Sequence, residues 1–237
     1  MSIIVAMTSA PHKMDGSELS WLTEIDRFRE QAKARGHELQ VFAALELDAR
    51  GIVPFGRLVA ALQRIGGAYW TYNLDDGAVR IDSANRLARI CEGRNLCIEY
   101  AQRNRPADFI LYLDSDVLPD RDTIDKLLAV ADLGYRQVGG EVPSYVLGGE
   151  RVPGVDLPLE QRSYNTAGYL LVHRDIYRRL RWRWDWDAGM TDDPCWFADA
   201  RQFLGVPCIV RTDCVGRQQP EVLVPIEQRG GDLEVRR

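Results

Sequence analysis

Short, continuously apolar runs separated by amphipathic stretches organise most of this chain. Ser2 to Met7 (SIIVAM) is such a run, the pattern of a strand covered on both faces. Leu19, Leu22, Ile25, Phe28 and Ala32 then recur at helical spacing, with Ser17 as N-cap and Gly36 as the stop. Leu39 to Leu45 (LQVFAAL) predicts a second strand, which completes a βαβ unit and implies a parallel pair. Leu58, Leu62 and Ile65 mark another helix, Ala68 to Asn73 (AYWTYN) a strand, and Asp82 to Gln102 a long helix that ends before Pro106. Phe109 to Leu113 (FILYL) is the most hydrophobic strand, and it stops abruptly at Asp114, Ser115 and Asp116. A helix near Thr123 to Ala131 and a strand at Gln137 to Val142 follow. Residues 143 to 166 carry Pro143, Gly148, Gly149, Pro153, Gly154 and Pro158 and form a loop-rich excursion. Beyond it the pattern predicts a strand at Ala167 to Val172, a short helix at Ile176 to Leu180, and a helix at Asp192 to Leu204 with Pro194 in its first turn. A final short strand at Cys208 to Val210 and a loose tail from Gln228 to Arg237 close the pattern.

Composition narrows the class. With 237 residues, 46% hydrophobic and 27% charged, the chain suits one α/β domain with a core of ordinary size better than two. A net charge of −5 gives solubility and no global pull toward nucleic acid or anionic membrane. Cys91, Cys97, Cys195, Cys208 and Cys214 are odd in number and lack CxxC spacing. That argues against a zinc cluster and a disulfide framework, and fits a reducing cytoplasm. MSIIVAMTSAPHK is too short and too lightly charged for a signal peptide. No apolar stretch approaches the ~20 residues that cross a bilayer, so no integral membrane segment is expected.

Asp114 and Asp116 form a DxD triplet, and spacing alone gives it no meaning. With 22 aspartates in the chain, about two such triplets arise by chance, and three occur: 114/116, 120/122 and 185/187. Context separates the first. It directly ends an apolar strand, and residues two apart in extended chain project to the same side. Both carboxylates then converge at the C-terminal edge of a parallel sheet, where open α/β folds bind ligands. Such a pair repels itself without a hard cation, and Mg²⁺ or Mn²⁺ prefers these oxygens. A helix-capping turn with solvated acids is the plainer alternative. The 120/122 pair is more simply the cap and dipole complement of the next helix, and 185/187 lies in a Trp-rich surface segment.

DFILYLDSDVLPDRDTIDKLL resembles the central stretch of GT-A glycosyltransferases, particularly the large family 2-like group. Arg94 and Asn95 (GRNLCIEYA) resemble the basic-polar element before that strand. NTAGYLLVHRDIYRRL at 165 to 180 is similar to the segment that begins near the acceptor, and TDDPCWFADARQFLG at 191 to 205 to the family's acidic pair and following helix. The resemblance spans roughly residues 1 to 215. It implies a doubly wound, mostly parallel sheet with a small antiparallel insertion around 143 to 190. It also implies one domain over 1–227, its nucleotide-binding part about 1–118 and its acceptor-side part about 119–227.

The same resemblance carries the site. Asp114 and Asp116 are implied to hold Mn²⁺ or Mg²⁺ on the diphosphate of a nucleotide-sugar donor, most simply a UDP-sugar, with Ser115 between them at the cofactor. Thr8 and Ser9 follow the first strand, where the nucleotide sits. Asp75 or Asp76 is placed to hydrogen-bond base or ribose, unless DDG is only a turn. Arg94 is a candidate for the pyrophosphate, or else a solvent-facing helical arginine. The acidic pair Asp192 and Asp193 is the catalytic candidate: Asp193 aligns with the base of inverting members and Asp192 is expected as a helix-cap acid beside it, unless both only open the helix and complement its dipole. One departure stands out: where relatives supply a histidine as third metal ligand, this chain has TDCVGRQQ. Asp213 substitutes, or water completes the shell, or Arg217 neutralises phosphate directly.

RRLRWRWDW at 178 to 186 interleaves arginine with tryptophan. Packing or sugar stacking by Trp182, Trp184 and Trp186 on one strand face is favoured over nucleic-acid binding. A sugar nucleotidyltransferase would want a glycine-rich loop after the first strand, which AMTSAPHKMDG lacks, and no GxGxxG supports a dehydrogenase. A catalytically inactive nucleotide-sugar or glycan-binding module stays open. The acceptor is undetermined among a glycan, a protein, a lipid-linked sugar and a modified nucleobase.

Overall fold

The computed structural model describes residues 2–9, 21–47, 56–73, 83–103, 107–114, 117–143, 148–185 and 187–218. Among the readings above, Ser17, Leu19, Asp75, Asp76, Ser115, Asp116, Trp186 and the 228–237 tail lie outside these residues.

Nine strands form one mixed sheet. In chain order the elements are β1 (Ser2–Ser9), α1 (Ile25–Ala34, led by a 3-10 turn at Trp21–Glu24), β2 (Glu38–Glu46), α2 (Gly56–Arg64), β3 (Ala68–Tyr72), α3 (Ser83–Arg103) and β4 (Phe109–Leu113). There follow β5 (Val117–Leu118), α4 (Thr123–Ala131), β6 (Gln137–Glu141), β7 (Glu150–Arg151), β8 (Leu159–Arg162), β9 (Tyr169–His173), α5 (Arg174–Tyr177), α6 (Asp192–Leu204), β10 (Cys208–Val215) and β11 (Arg217–Gln218). The sheet order is β3-β2-β1-β4-β9-β6-β10-β8-β7, and β11 pairs with β5 in a separate two-stranded ribbon. β3, β2, β1 and β4 run parallel, β9 enters antiparallel between β4 and β6, and β6 and β10 are parallel again.

Strand alternation sorts the core into two layers. Ile3, Val5 and Met7 of β1, with Phe109, Leu111 and Leu113 of β4, face α1, α2 and α4. Ile4, Ala6, Ile110 and Tyr112 face α3, α5 and α6. Every residue of β4 is buried, because strands flank it and helical layers cover both faces. The same alternation puts the next even position, Asp114, on the α3 and α6 side. The 143–190 excursion becomes the antiparallel β7–β8 hairpin and β9, as its turn-rich composition implied.

Three local expectations are corrected. The last strand does not stop at Val210: β10 runs to Val215 through a bulge between Arg211 and Val215, because β6 and β8 supply partners to a polar stretch that hydropathy does not mark. Residues 181–184 are not a strand, and a bridge between Asp185 and Met190 is the pairing found there. Asp120 does more than complement a helix, since its Oδ2 accepts from the Val215 amide at 2.9 Å and from Lys126 Nζ at 3.1 Å and so ties β10 to α4.

Tyr169 fixes the centre of the sheet. Its hydroxyl is hydrogen-bonded with Thr123 Oγ1 at 2.5 Å and Cys214 Sγ at 3.0 Å, joining β9 to α4 and β10. Its ring lies against Gly140, where a Cβ would fall within the ring's own volume. Gly140→Ala should therefore lower the unfolding free energy by about 1–3 kcal/mol, as overpacking does. Gly148→Ala, with open space around its Cβ position, should change it far less. Denaturant unfolding of the two variants checks the contrast.

Candidate functional site

The chain leaves β1 outward to β2 and β3, then crosses back to β4 on the other side of β1. This reversal makes the C-terminal ends of β1 and β4 a switch point, the place where ligands bind in open α/β sheets. Thr8 and Ser9 end β1, Glu46 ends β2, Tyr72 ends β3 and Asp114 follows β4. Helix α3 crosses beneath them. A Cβ on its Gly93 would lie 2.9 Å from both Thr8 Cγ2 and Tyr72 Oη, so glycine there lets the helix reach the strand ends.

Arg94 is the centre of the arrangement. It is 3% exposed. Its Nη1 donates to Asp192 Oδ2 and, at 2.9 Å, to Asp193 Oδ1. Its Nη2 reaches Asp114 Oδ1 at 3.4 Å and Oδ2 at 3.5 Å. Its guanidinium carbon stands 4.7 Å above the Trp182 ring, a cation–π contact. Trp182 stacks on Trp196 of α6 at 4.1 Å and 13°, and meets Tyr112 of β4 edge-on. Asn95 clamps the Trp182 backbone, donating to its carbonyl at 3.0 Å and accepting from its amide at 2.9 Å. Burial alone would lower the Arg94 pKa. The three carboxylates, Asp114 first, more than offset this, so the guanidinium stays cationic.

Asp114 is held by its backbone amide, which donates to the Gly168 carbonyl at 2.9 Å. A Cβ on Gly168 would stand 2.6 Å from Asp114 Cγ, so the small residue in NTAGYLL is what admits this side chain. Asp193 keeps a quarter of its side chain exposed, at 24%. Burial of its charge, opposed by Arg94 and reinforced by Asp192 and Asp114, pushes its pKa up to about 7. Asp192 opens α6 as expected and is in addition buried and paired to Arg94, because a buried guanidinium requires an anion at contact distance.

Other expected residues fall as follows. Arg94 is neither solvent-facing nor open toward the crevice, since carboxylates and an indole already surround it. Asp213 is not brought to Asp114: its carboxylate accepts from Arg211 Nε at 2.7 Å, on the α4 face, where Arg211 also bonds the Lys126 carbonyl. Arg217 sits in β11 opposite Leu118, beside the segment that follows the DSD triplet, and is exposed. Trp182 is packed in the core and offers no sugar platform, while Arg183 is spent on Asp199 at 2.8 Å. The five cysteines are buried and unbridged, and burial pushes Cys91, Cys208 and Cys214 up to about 12, so they are no nucleophiles near neutrality.

Sequence reasoning missed Glu46. It is 5% exposed, pairs with Arg89 at 3.1 Å, and burial raises its pKa against that arginine's opposing pull. The rule that singled out Asp114, an acid ending an apolar strand, applies equally to LQVFAALE. The Trp182 stack beneath Arg94 carried no local signal, because its partners lie far apart in the chain.

No known family profile matches this sequence, and no curated protein does. Solved structures do match. GalNAc-T7 with UDP, GalNAc and Mn²⁺ superposes with a TM-score of 0.60 over 92% of this chain at 9% identity. The fold is GT-A-type. This GT-A-type chain spans 44% of that protein's length. A197 from STIV also aligns, with a TM-score of 0.48, 12% identity, and coverage of 92% of this chain and 86% of that one. Among the described residues of this GT-A-type fold, no helix is long and apolar enough to cross a membrane.

The raised Asp193 pKa has a thermodynamic consequence. Its folded value of about 7 lies above its ordinary value of 3.8, so the fold favours the protonated form. That contribution is fully present below the ordinary value and is lost as pH rises through about 7. Asp193→Asn should therefore lose this pH dependence and gain stability relative to the parent between pH 5 and pH 8. Denaturant midpoints at the two pH values measure it.

Proposed function

We propose that this protein is a glycosyltransferase that moves a hexosyl or pentosyl group from a nucleotide diphosphate, most simply a UDP-sugar, to an acceptor hydroxyl with inversion. The observation that carries the reading is the meeting of Asp193 with Asp114 on one guanidinium at the switch-point crevice. A carboxylate with a pKa near neutrality thereby stands next to the strand end where a diphosphate binds. The GT-A-type fold and a neighbour solved with UDP, GalNAc and Mn²⁺ support the donor class. Five unbridged cysteines support a reducing compartment.

Three carboxylates around one guanidinium leave two formal negative charges when Asp193 is ionised. That excess and the hard oxygen donors of Asp114 fit Mg²⁺ or Mn²⁺. The described residues hold no group of three or more ligating side chains, so such an ion would take its remaining ligands from Asp116, diphosphate and water. Asp114 and Asp116 would hold it, and it would supply charge neutralisation on the departing diphosphate. Thr8 and Ser9, which end β1, are assigned to the nucleoside together with Asp75 and Asp76, and Ser115 to the diphosphate. Arg217, which β11 sets beside Leu118, neutralises phosphate in place of the family's histidine.

In the transfer the acceptor oxygen forms a bond to the anomeric carbon. The bond from that carbon to the phosphate oxygen breaks, and the diphosphate leaves with the electron pair. The acceptor proton passes to Asp193, which near pH 7 is half ionised and able to take it. One domain carries both halves of this chemistry. The acceptor is a glycan, protein, lipid-linked sugar or modified nucleobase that enters beside α6.

Release of nucleotide diphosphate across a panel of nucleotide sugars tests the activity. Asp193→Asn should leave donor affinity nearly unchanged and slow single-turnover transfer by at least ~10²-fold. Asp116→Asn should weaken donor binding and turnover together. Normal transfer by Asp193→Asn would remove it as the base, and donor binding without any turnover in the parent would make the protein a binding module.

Arg217→Ala should weaken binding of a nucleoside diphosphate more than that of the free nucleoside. Equal effects on the two, by calorimetry, would remove the phosphate contact.

A further inference from the structure

Resting on that reading, we propose that Arg94 is a positioning residue: it holds the acceptor-side pair Asp192 and Asp193 in register with the donor-side Asp114, and it is not a ligand of the donor phosphates. A phosphate ligand needs N–H groups directed into the crevice. Arg94 offers none there: Nη1 is taken by Asp192 and Asp193, Nη2 faces Asp114, Trp182 covers the guanidinium face at 4.7 Å, and Nε, which has no partner among the described residues, is closed off from solvent.

Two neighbours on α3 grip α6 by different means. Arg94 holds its first turn through two carboxylates. Asn95 fixes the Trp182 backbone at 2.9 and 3.0 Å, and Trp182 stacks on Trp196 one turn further along α6. The helix start is thus pinned on both its charged and its aromatic side. The hydrogen bonds of Arg94 are unequal. Those to α6 are short, whereas those to Asp114 are 3.4 and 3.5 Å, so α6 is held firmly and β4 loosely. Loss of Arg94 therefore frees the acceptor side first.

A planar fork can bridge carboxylates that arrive from two directions, and the point charge of lysine cannot span them. Arg94→Lys is for this reason the informative variant: it keeps the charge and removes the span. Three readouts are needed. Calorimetry with UDP and Mn²⁺ should give a dissociation constant within about threefold of the parent. Turnover at saturating donor should fall by at least ~10²-fold, so that kcat and donor affinity separate. Amide exchange over residues 192–196 should accelerate at least ~10-fold while β4 amides stay protected.

A fall in UDP–Mn²⁺ affinity as large as the fall in kcat would overturn the proposal and make Arg94 a phosphate ligand. Unchanged exchange over 192–196 would overturn it as well. If the parent transfers no sugar at all, the function fails, and the exchange measurement still decides whether Arg94 positions α6. Should Arg94→Lys not fold, Asp192→Asn removes the contact from the other side. It is expected to raise exchange over the same residues, and unchanged exchange there would count against the proposal equally.

Discussion

A guanidinium taken out of water must be surrounded by anions, and that requirement organises the C-terminal edge of this sheet. An unpaired buried charge costs several kcal/mol, comparable with the whole stability of a domain. Arg94 can be buried only if the end of β4 and the start of α6 are both brought to it. The aromatic column of Tyr112, Trp182 and Trp196 follows from the same demand, since it seals the cation from solvent and fills the volume beneath. Helix α6 is thus located by charge at its tip and by packing along its length.

The electrostatics of this knot are unbalanced by design of its parts. Burial of its charge raises the pKa of Asp193 against the pull of Arg94, and the nearby carboxylates of Asp192 and Asp114 add to the rise. The same three carboxylates leave the end of β4 with a net negative charge.

Much of this was legible in the sequence. Apolar runs located β1, β2, β4 and β9, and helical periodicity located α4 and α6 at their full length. FILYL followed by an aspartate marked the strand end that matters. What escaped was whatever depends on distant partners. β10 extends through Arg211 to Val215 because β6 and β8 lie beside it, and RTDCV has no apolar pattern to announce this. Trp182, Trp184 and Trp186 suggested a ladder on one strand face, but Trp182 turned inward once Asn95 and Trp196 were near. Arg94 and Asp192 stand out in the sequence as site candidates, but nothing local in it marks either as buried. Their burial is visible only when residues 98 positions apart are seen in contact.

The placement of β9 has a consequence for how the chain is made. It inserts antiparallel between β4 and β6, so the partner of β4 on that side arrives about sixty residues after β4 itself. While the chain is being synthesised, FILYL waits with one backbone edge bare, and an apolar edge of that kind invites pairing with another copy. A fragment ended just after the DSD triplet would keep this edge permanently and would leave Arg94 with one carboxylate in place of three. The first half of the chain is thus no self-sufficient module: the later half completes the sheet that carries β4, and the two are bound to be inherited as a unit.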